Sequence, residues 1–205
     1  MAFLTKDEKG RIAEAVRQAE LRTRGELVTV IAQRSDNYIF IPWIWATLLA
    51  LMFPGLLELI DANAPFASAY VSQVTLFVAV LLLLQWRPLK MRLVPKAVQR
   101  AHAHRLAREQ FYTQKLHLTR ERTGVLIFVS VAEHYVEILA DEGINNVVPA
   151  GAWDEMVKRF VTQVKAGNTA TGFIEIVEAC GNYLAENFPD RLDDTNELPN
   201  TLVEI

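Results

Sequence analysis

Between Arg34 and Arg87 the sequence has no lysine, arginine or histidine, and within that stretch Ile39 to Ile60 and Tyr70 to Trp86 are almost wholly apolar. Each run approaches the ~20 residues that cross a ~30 Å hydrocarbon layer as a helix. We read a two-helix transmembrane hairpin over 38–87. The alternative is a buried helical hairpin of a water-soluble protein, which the shorter second run would permit. Two adjacent long runs without cations are hard to bury in a small soluble domain, however. The connection Asp61 to Ala69 holds Pro65 and no basic residue, so the spans should form a tight antiparallel pair. Arg22, Arg24 and Arg34 precede the hairpin, and Arg87, Lys90, Arg92, Lys96 and Arg100 follow it. The positive-inside rule then puts both termini in the cytoplasm and the connection outside, as in a multi-pass protein of a bacterial inner membrane. Trp43, Trp45 and Trp86 fall near span ends, where an interfacial aromatic belt is expected. Glu58 and Asp61 near the outer end are read as reaching water rather than as an intramembrane ion path.

Outside the hairpin the chain is that of an ordinary soluble domain. Of its 205 residues 22% are charged, although 51% are hydrophobic. The remaining ~150 residues suffice for one domain and hardly for two. A net charge of −3 gives no reason to expect nucleic acid, and Met1 to Arg24 lacks the apolar core of a cleavable signal peptide. The single Cys180 can form no internal disulfide, which suits a reducing compartment, and it reads as a buried thiol on a helix.

Thr5 and Glu8 have capping-box spacing, and Ile12, Ala15, Val16 and Ala19 recur at helical spacing up to a stop at Gly25. Glu26 to Ala32 (ELVTVIA) reads as a strand entering the hairpin almost directly. After the hairpin, Pro88 and Pro95 punctuate a basic stretch that continues as one long helix to about Leu116. Arg92, Lys96, Arg100, His104 and Arg108 would line one face of it as a cationic stripe. Of these, Arg92, Lys96, Arg100 and Arg108 are candidates for lipid headgroups; the alternative is a solvated face. The continuous apolar run Gly124 to Val131 predicts a central strand. Ala132 to His134 make a turn, and Tyr135 to Ala140 form the antiparallel partner. Trp153 to Val164 and Phe173 to Phe188 repeat apolar residues at helical spacing. Joining the first two strands through a helix makes them parallel. The expected fold is an α/β domain with a small mixed sheet and flanking helices, interrupted by the transmembrane hairpin. Its segments are 1–37 and 88–190 for the domain, 38–87 for the hairpin and 191–205 for an extended polar tail.

The segments GELVTVIAQR, TGVLIFVSVAEHYVEILADEGI and FPDRLDDTNELPN, with GAWDEMV and GNYLAENFP between them, resemble the TPM domain family. That family is named for thylakoid-lumen and photosystem II repair proteins, and the likeness is to its bacterial membrane branch. The resemblance implies the α/β fold. It also implies two kinds of activity, since some members are described as acid phosphatases or divalent-metal binders and others as accessory or auxiliary membrane factors. Two departures bear on the first kind. The charges place this domain inside, and only Met1 to Leu4 stand where many relatives have an aspartate-bearing extended segment.

A phosphatase needs a nucleophile or metal-activated water, with cations or amides to hold phosphoryl oxygens. Asp141, Glu142 and Asn145 offer oxygen ligands suited to calcium or magnesium, the cofactors such an activity would use. A polar loop in which Asp141 caps or turns the backbone accounts for them as well. Glu133 and His134 lie in the strand-to-strand turn, read as an exposed turn at the other edge of the sheet, and Glu26 opens the first strand. With no P-loop, GxSxG, HExxH or GxGxxG, no catalytic residue can be assigned. The expectation is a membrane accessory or scaffolding module whose partners are the lipid bilayer and another membrane protein. The alternative is a metal-assisted phosphatase.

Overall fold

The computed structural model describes residues 4–60, 65–149, 151–190, 198–199 and 201–205. They form two compact units, one of 1–35 with 101–205 and one of 36–100. In chain order the elements are α1 (Lys6–Glu20), β1 (Glu26–Ala32), α2 (Phe40–Ile60), α3 (Phe66–Leu83), α4 (Arg87–Leu93) and α5 (Lys96–Thr113). A 3-10 turn (Leu116–Leu118), β2 (Gly124–Ser130), β3 (Tyr135–Ala140), α6 (Glu142–Asn145), α7 (Ala152–Lys165), α8 (Thr169–Asn187) and β4 (Leu202–Glu204) follow.

The first unit is built on a mixed sheet of order β3-β2-β1-β4, in which β1 lies parallel to β2 and to β4, and β2 antiparallel to β3. Every residue of β1 and β2 is buried, the state that central strands reach when helices cover both faces. On one face Leu27, Ile31, Val125 and Ile127 pack with Ile12, Val16, Phe173 and Val177. On the other, Val28, Val30, Leu126 and Phe128 meet Ala103, Ala107 and Phe111 of α5. Helix α1 opens with the expected capping box: Glu8 N donates to Thr5 Oγ1 at 3.3 Å and Thr5 N donates to Glu8 Oε2 at 2.7 Å. A Cβ on Gly181 of α8 would lie 2.5 Å from the Ala19 Cβ, so glycine is what lets α1 and α8 approach.

Four local expectations are corrected. α1 stops at Glu20 with Leu21 as its cap, and Gly25 instead sits buried at the mouth of β1, where a Cβ would press on the Leu184 side chain at 2.9 Å. The basic helix is two helices, because Val94, as the residue before Pro95, takes an extended conformation (ψ 122°) that ends α4. The second of them stops at Thr113, and Lys115 (φ 61°) turns the chain into the 3-10 segment. The tail is not simply extended: Leu202 to Glu204 return to the sheet as β4, with Lys9 Nζ 2.7 Å from Glu204 Oε2. Three residues are too short a run for periodicity to declare a strand.

In the second unit α2 and α3 pack on each other, with the Trp43 and Phe77 rings 6.2 Å apart. Both are long and apolar enough to cross a membrane, and only 22% of the most apolar window of α2, and none of that of α3, is buried. A soluble buried hairpin would show the reverse. Pro54 lies inside α2, where one backbone bond is forgone. Tyr38, Ile41 and Val94 form a small core with Met91 and Leu93, seating α4 at the start of α2. Asp61 and residues 62–64 lie outside the described residues.

Candidate functional site

In open sheets with parallel strands, ligands gather beyond the carboxyl ends. Here that edge is formed by β1 and β2, and two backbone bonds, Val131 N to Ala32 O at 3.0 Å and Ala132 N to Gln33 O at 3.2 Å, carry the ladder past the strands. They hold the segment after β1 against the turn after β2, and three polar side chains converge there. Ser130 Oγ donates to Glu133 Oε2 in a short hydrogen bond. Ser35 Oγ donates to Ser130 Oγ at 2.8 Å, and Ser35 N donates to Glu133 Oε1 at 3.0 Å. Both carboxylate oxygens are thus fixed by neutral donors.

Glu133 is buried, contrary to the exposed turn expected for it, while His134 is exposed with φ 51°. The two residues point to different environments and make no acid–base pair. A cavity of about 330 Å³ adjoins the cluster, lined by Ser130, His134, Tyr135, Phe160, Val161 and Lys165 among others. Sequence reading missed Ser35 altogether. The local clue was the Ser130-x-x-Glu133 spacing, which lets a strand-end hydroxyl reach the carboxylate of the following turn.

Asp141, Glu142 and Asn145 lie at the other end of β3, on the order of 20 Å away along the strand. Asp141 is buried and caps α6, its Oδ1 accepting from Glu142 N at 2.8 Å. Its Oδ2 lies 2.8 Å from Arg122 Nε. Asn145 Nδ2 donates to Ala140 O at 2.6 Å, and Glu142 is exposed. A guanidinium already neutralises the one buried carboxylate, so this donor set does not fit calcium or magnesium. Among the described residues no group of three histidine, cysteine, aspartate or glutamate side chains is placed to hold a metal.

The four headgroup candidates do not form one stripe. Arg92 is on α4, whereas Lys96, Arg100 and Arg108 follow the break on α5, and Lys96 Nζ donates to Gln99 Oε1 at 3.1 Å. His104, the fifth member of the expected stripe, turns instead to the sheet, its Nδ1 2.9 Å from Glu137 Oε1. Tyr135 Oη donates to the other Glu137 oxygen at 3.0 Å. Cys180 is buried beside Met156 (Sγ to Sδ 3.7 Å), and desolvation pushes its thiol up to about 12, which leaves it unreactive.

Residues 91–183 match the family model described as the TPM domain. The NMR structure of the BA42 protein from the psychrophilic bacterium Bizionia argentinensis is similar, with a TM-score of 0.63 and 24% identity over 100% of this chain and 97% of that one. At that identity the likeness speaks for the fold. No curated protein matches the chain. Over residues 91–183, the chain is therefore similar to the TPM domain family.

Proposed function

We propose that the chain is an integral inner-membrane protein whose TPM domain is an accessory module, tethered at the cytoplasmic surface to hold a partner membrane protein. The observation that carries this reading is the second unit: two apolar helices with their large side chains turned outward, inserted between β1 and α5. Exposed apolar surface on that scale calls for lipid or a protein partner to cover it. The cations at its two flanks, absent in between, support cytoplasmic termini. Reporter fusions test the topology. A fusion at Ala64 should report the outside and one at Ile205 the inside, and the opposite pattern removes the reading. Cross-linking in native membranes should then attach the domain to a membrane protein.

The rival is a metal-assisted phosphatase acting at Ser35, Ser130 and Glu133, favoured by their convergence at the carboxyl edge of parallel strands. Purified protein given an aryl phosphate, with and without magnesium or calcium, separates the two. Turnover abolished in Glu133→Gln but kept in Asp141→Asn would replace the accessory role by an enzyme.

A further inference from the structure

We propose that the end of the α2–α3 pair where α2 begins and α3 finishes carries a collar that binds anionic phospholipid headgroups, built on α4 rather than along a continuous stripe. The inference rests on the membrane reading above and gives it a lipid preference. Three observations meet at this end. The first is charge: Arg87, Lys90, Arg92, Lys96 and Arg100 occupy the stretch after α3, and the sequence from Arg87 to Arg108 holds no aspartate or glutamate. Among the described residues, no carboxylate pairs with any of the five. Lys90 Nζ donates to the Asn37 carbonyl at 2.8 Å and Lys96 to Gln99, both neutral acceptors.

The second is placement. α4 starts only a few residues after α3 ends and is seated by Met91 and Leu93 on Tyr38 and Ile41 at the foot of α2. Its cations are therefore fixed at the level where the apolar helices stop. The third is aromatic. Trp43 and Trp45 near the start of α2 and Trp86 directly before α4 are all exposed, Trp86 by 68%, and no tryptophan marks the other end. Indoles at one level with unpaired cations describe a headgroup layer, where each basic side chain held near an anionic surface adds attraction. A protein partner of acidic character would use the cations but would not need exposed indoles at the foot of two lipid-length helices.

Full-length protein in mild detergent, mixed with equal amounts of phosphatidylglycerol and phosphatidylcholine of the same chains, gives the test by native mass spectrometry. Phosphatidylglycerol adducts should dominate. Arg87→Gln with Arg92→Gln, two exposed residues whose side chains hydrogen-bond to nothing among the described residues, should cut that preference by on the order of tenfold. Lys6→Gln with Arg11→Gln on α1 should leave it unchanged. Equal adducts of both lipids, or a preference that survives the α4 variant, overturns the collar. So does displacement of the lipid by free glycerol phosphate, which would reveal an ordinary phosphate site. Carbonate extraction separates the two levels of inference: protein released from membranes overturns the membrane reading itself, whereas protein retained without lipid preference overturns the collar alone.

Discussion

The two units of this chain solve opposite solvation problems. In the sheet unit, Val, Ile, Leu and Phe on both faces of β1 and β2 disappear under α1, α5, α7 and α8, so that the backbone and its side chains are removed from water together. In the α2–α3 unit the backbone is satisfied within each helix, but the side chains remain outside, and α3 buries no residue at all. What differs most is whether the chain supplies its own cover. The first unit covers its own apolar side chains. The second leaves them exposed, the surface that the proposed lipid cover would complete.

The contrast can be broken most forcefully by side-chain deletion. Phe173 is fully buried with its ring 4.9 Å from that of Phe160, and Phe173→Ala should cost about 3–5 kcal/mol in chemical unfolding of the detergent-solubilised protein. Leu82→Ala on exposed α3 should change the same measurement by under about 0.5 kcal/mol, since lipid or detergent is as apolar as the lost side chain. A comparable loss at both positions would mean that α3 has a protein cover.

Charge insertion sharpens the contrast from the other side. Leu51 lies mid-way along α2 and is exposed, and Leu51→Arg should disfavour membrane integration by about 2.5–3.5 kcal/mol, read as a fall in the integrated fraction in an insertion assay. On a water-facing helix the same change would be nearly neutral.

Smaller effects belong to the sheet unit alone. Thr5→Ala removes one half of the α1 capping box and should cost about 1 kcal/mol in thermal unfolding. The hydrogen bonds from Thr5 also lower the Glu8 carboxyl below its ordinary value. On the same helix, hydrogen bonds from Arg17 and Gln18 hold the exposed Glu14 carboxyl down to about 2 from 4.5. A folded-state value below the unfolded one gives stability that is present above about 4.5 and fades as the pH falls towards 2. Glu14→Gln should therefore flatten the acid limb of the stability profile slightly and leave neutral stability almost unchanged, the exposed group being well screened.

How far this molecule can be read from its sequence follows the range of the interactions. β1, β2, β3, α7 and α8 are legible because each repeats apolar residues at its own period over several turns or pleats. The Thr5–Glu8 cap is legible because both partners are three residues apart. β4 is not, since only the neighbouring edge of β1 makes Leu202 to Glu204 a strand. The break between α4 and α5 was legible in Pro95, yet the four-residue spacing of the cations argued for continuity across it. The candidate site depends on adjacency. Glu133 looks like a turn residue until β1 and β2 are aligned in parallel and Ser35, nearly a hundred positions earlier, is brought to its carboxylate. Asp141, by contrast, has its cap partner next to it in sequence, and its structural role was available from that neighbour alone.

The central claim is that α2 and α3 are covered by lipid. Membranes from cells expressing the full chain, washed with alkaline carbonate and sedimented, test it directly. The protein should stay in the pellet and leave only when detergent is added. Release into the carbonate supernatant as intact chain would contradict the claim and make the α2–α3 surface a site for a soluble partner.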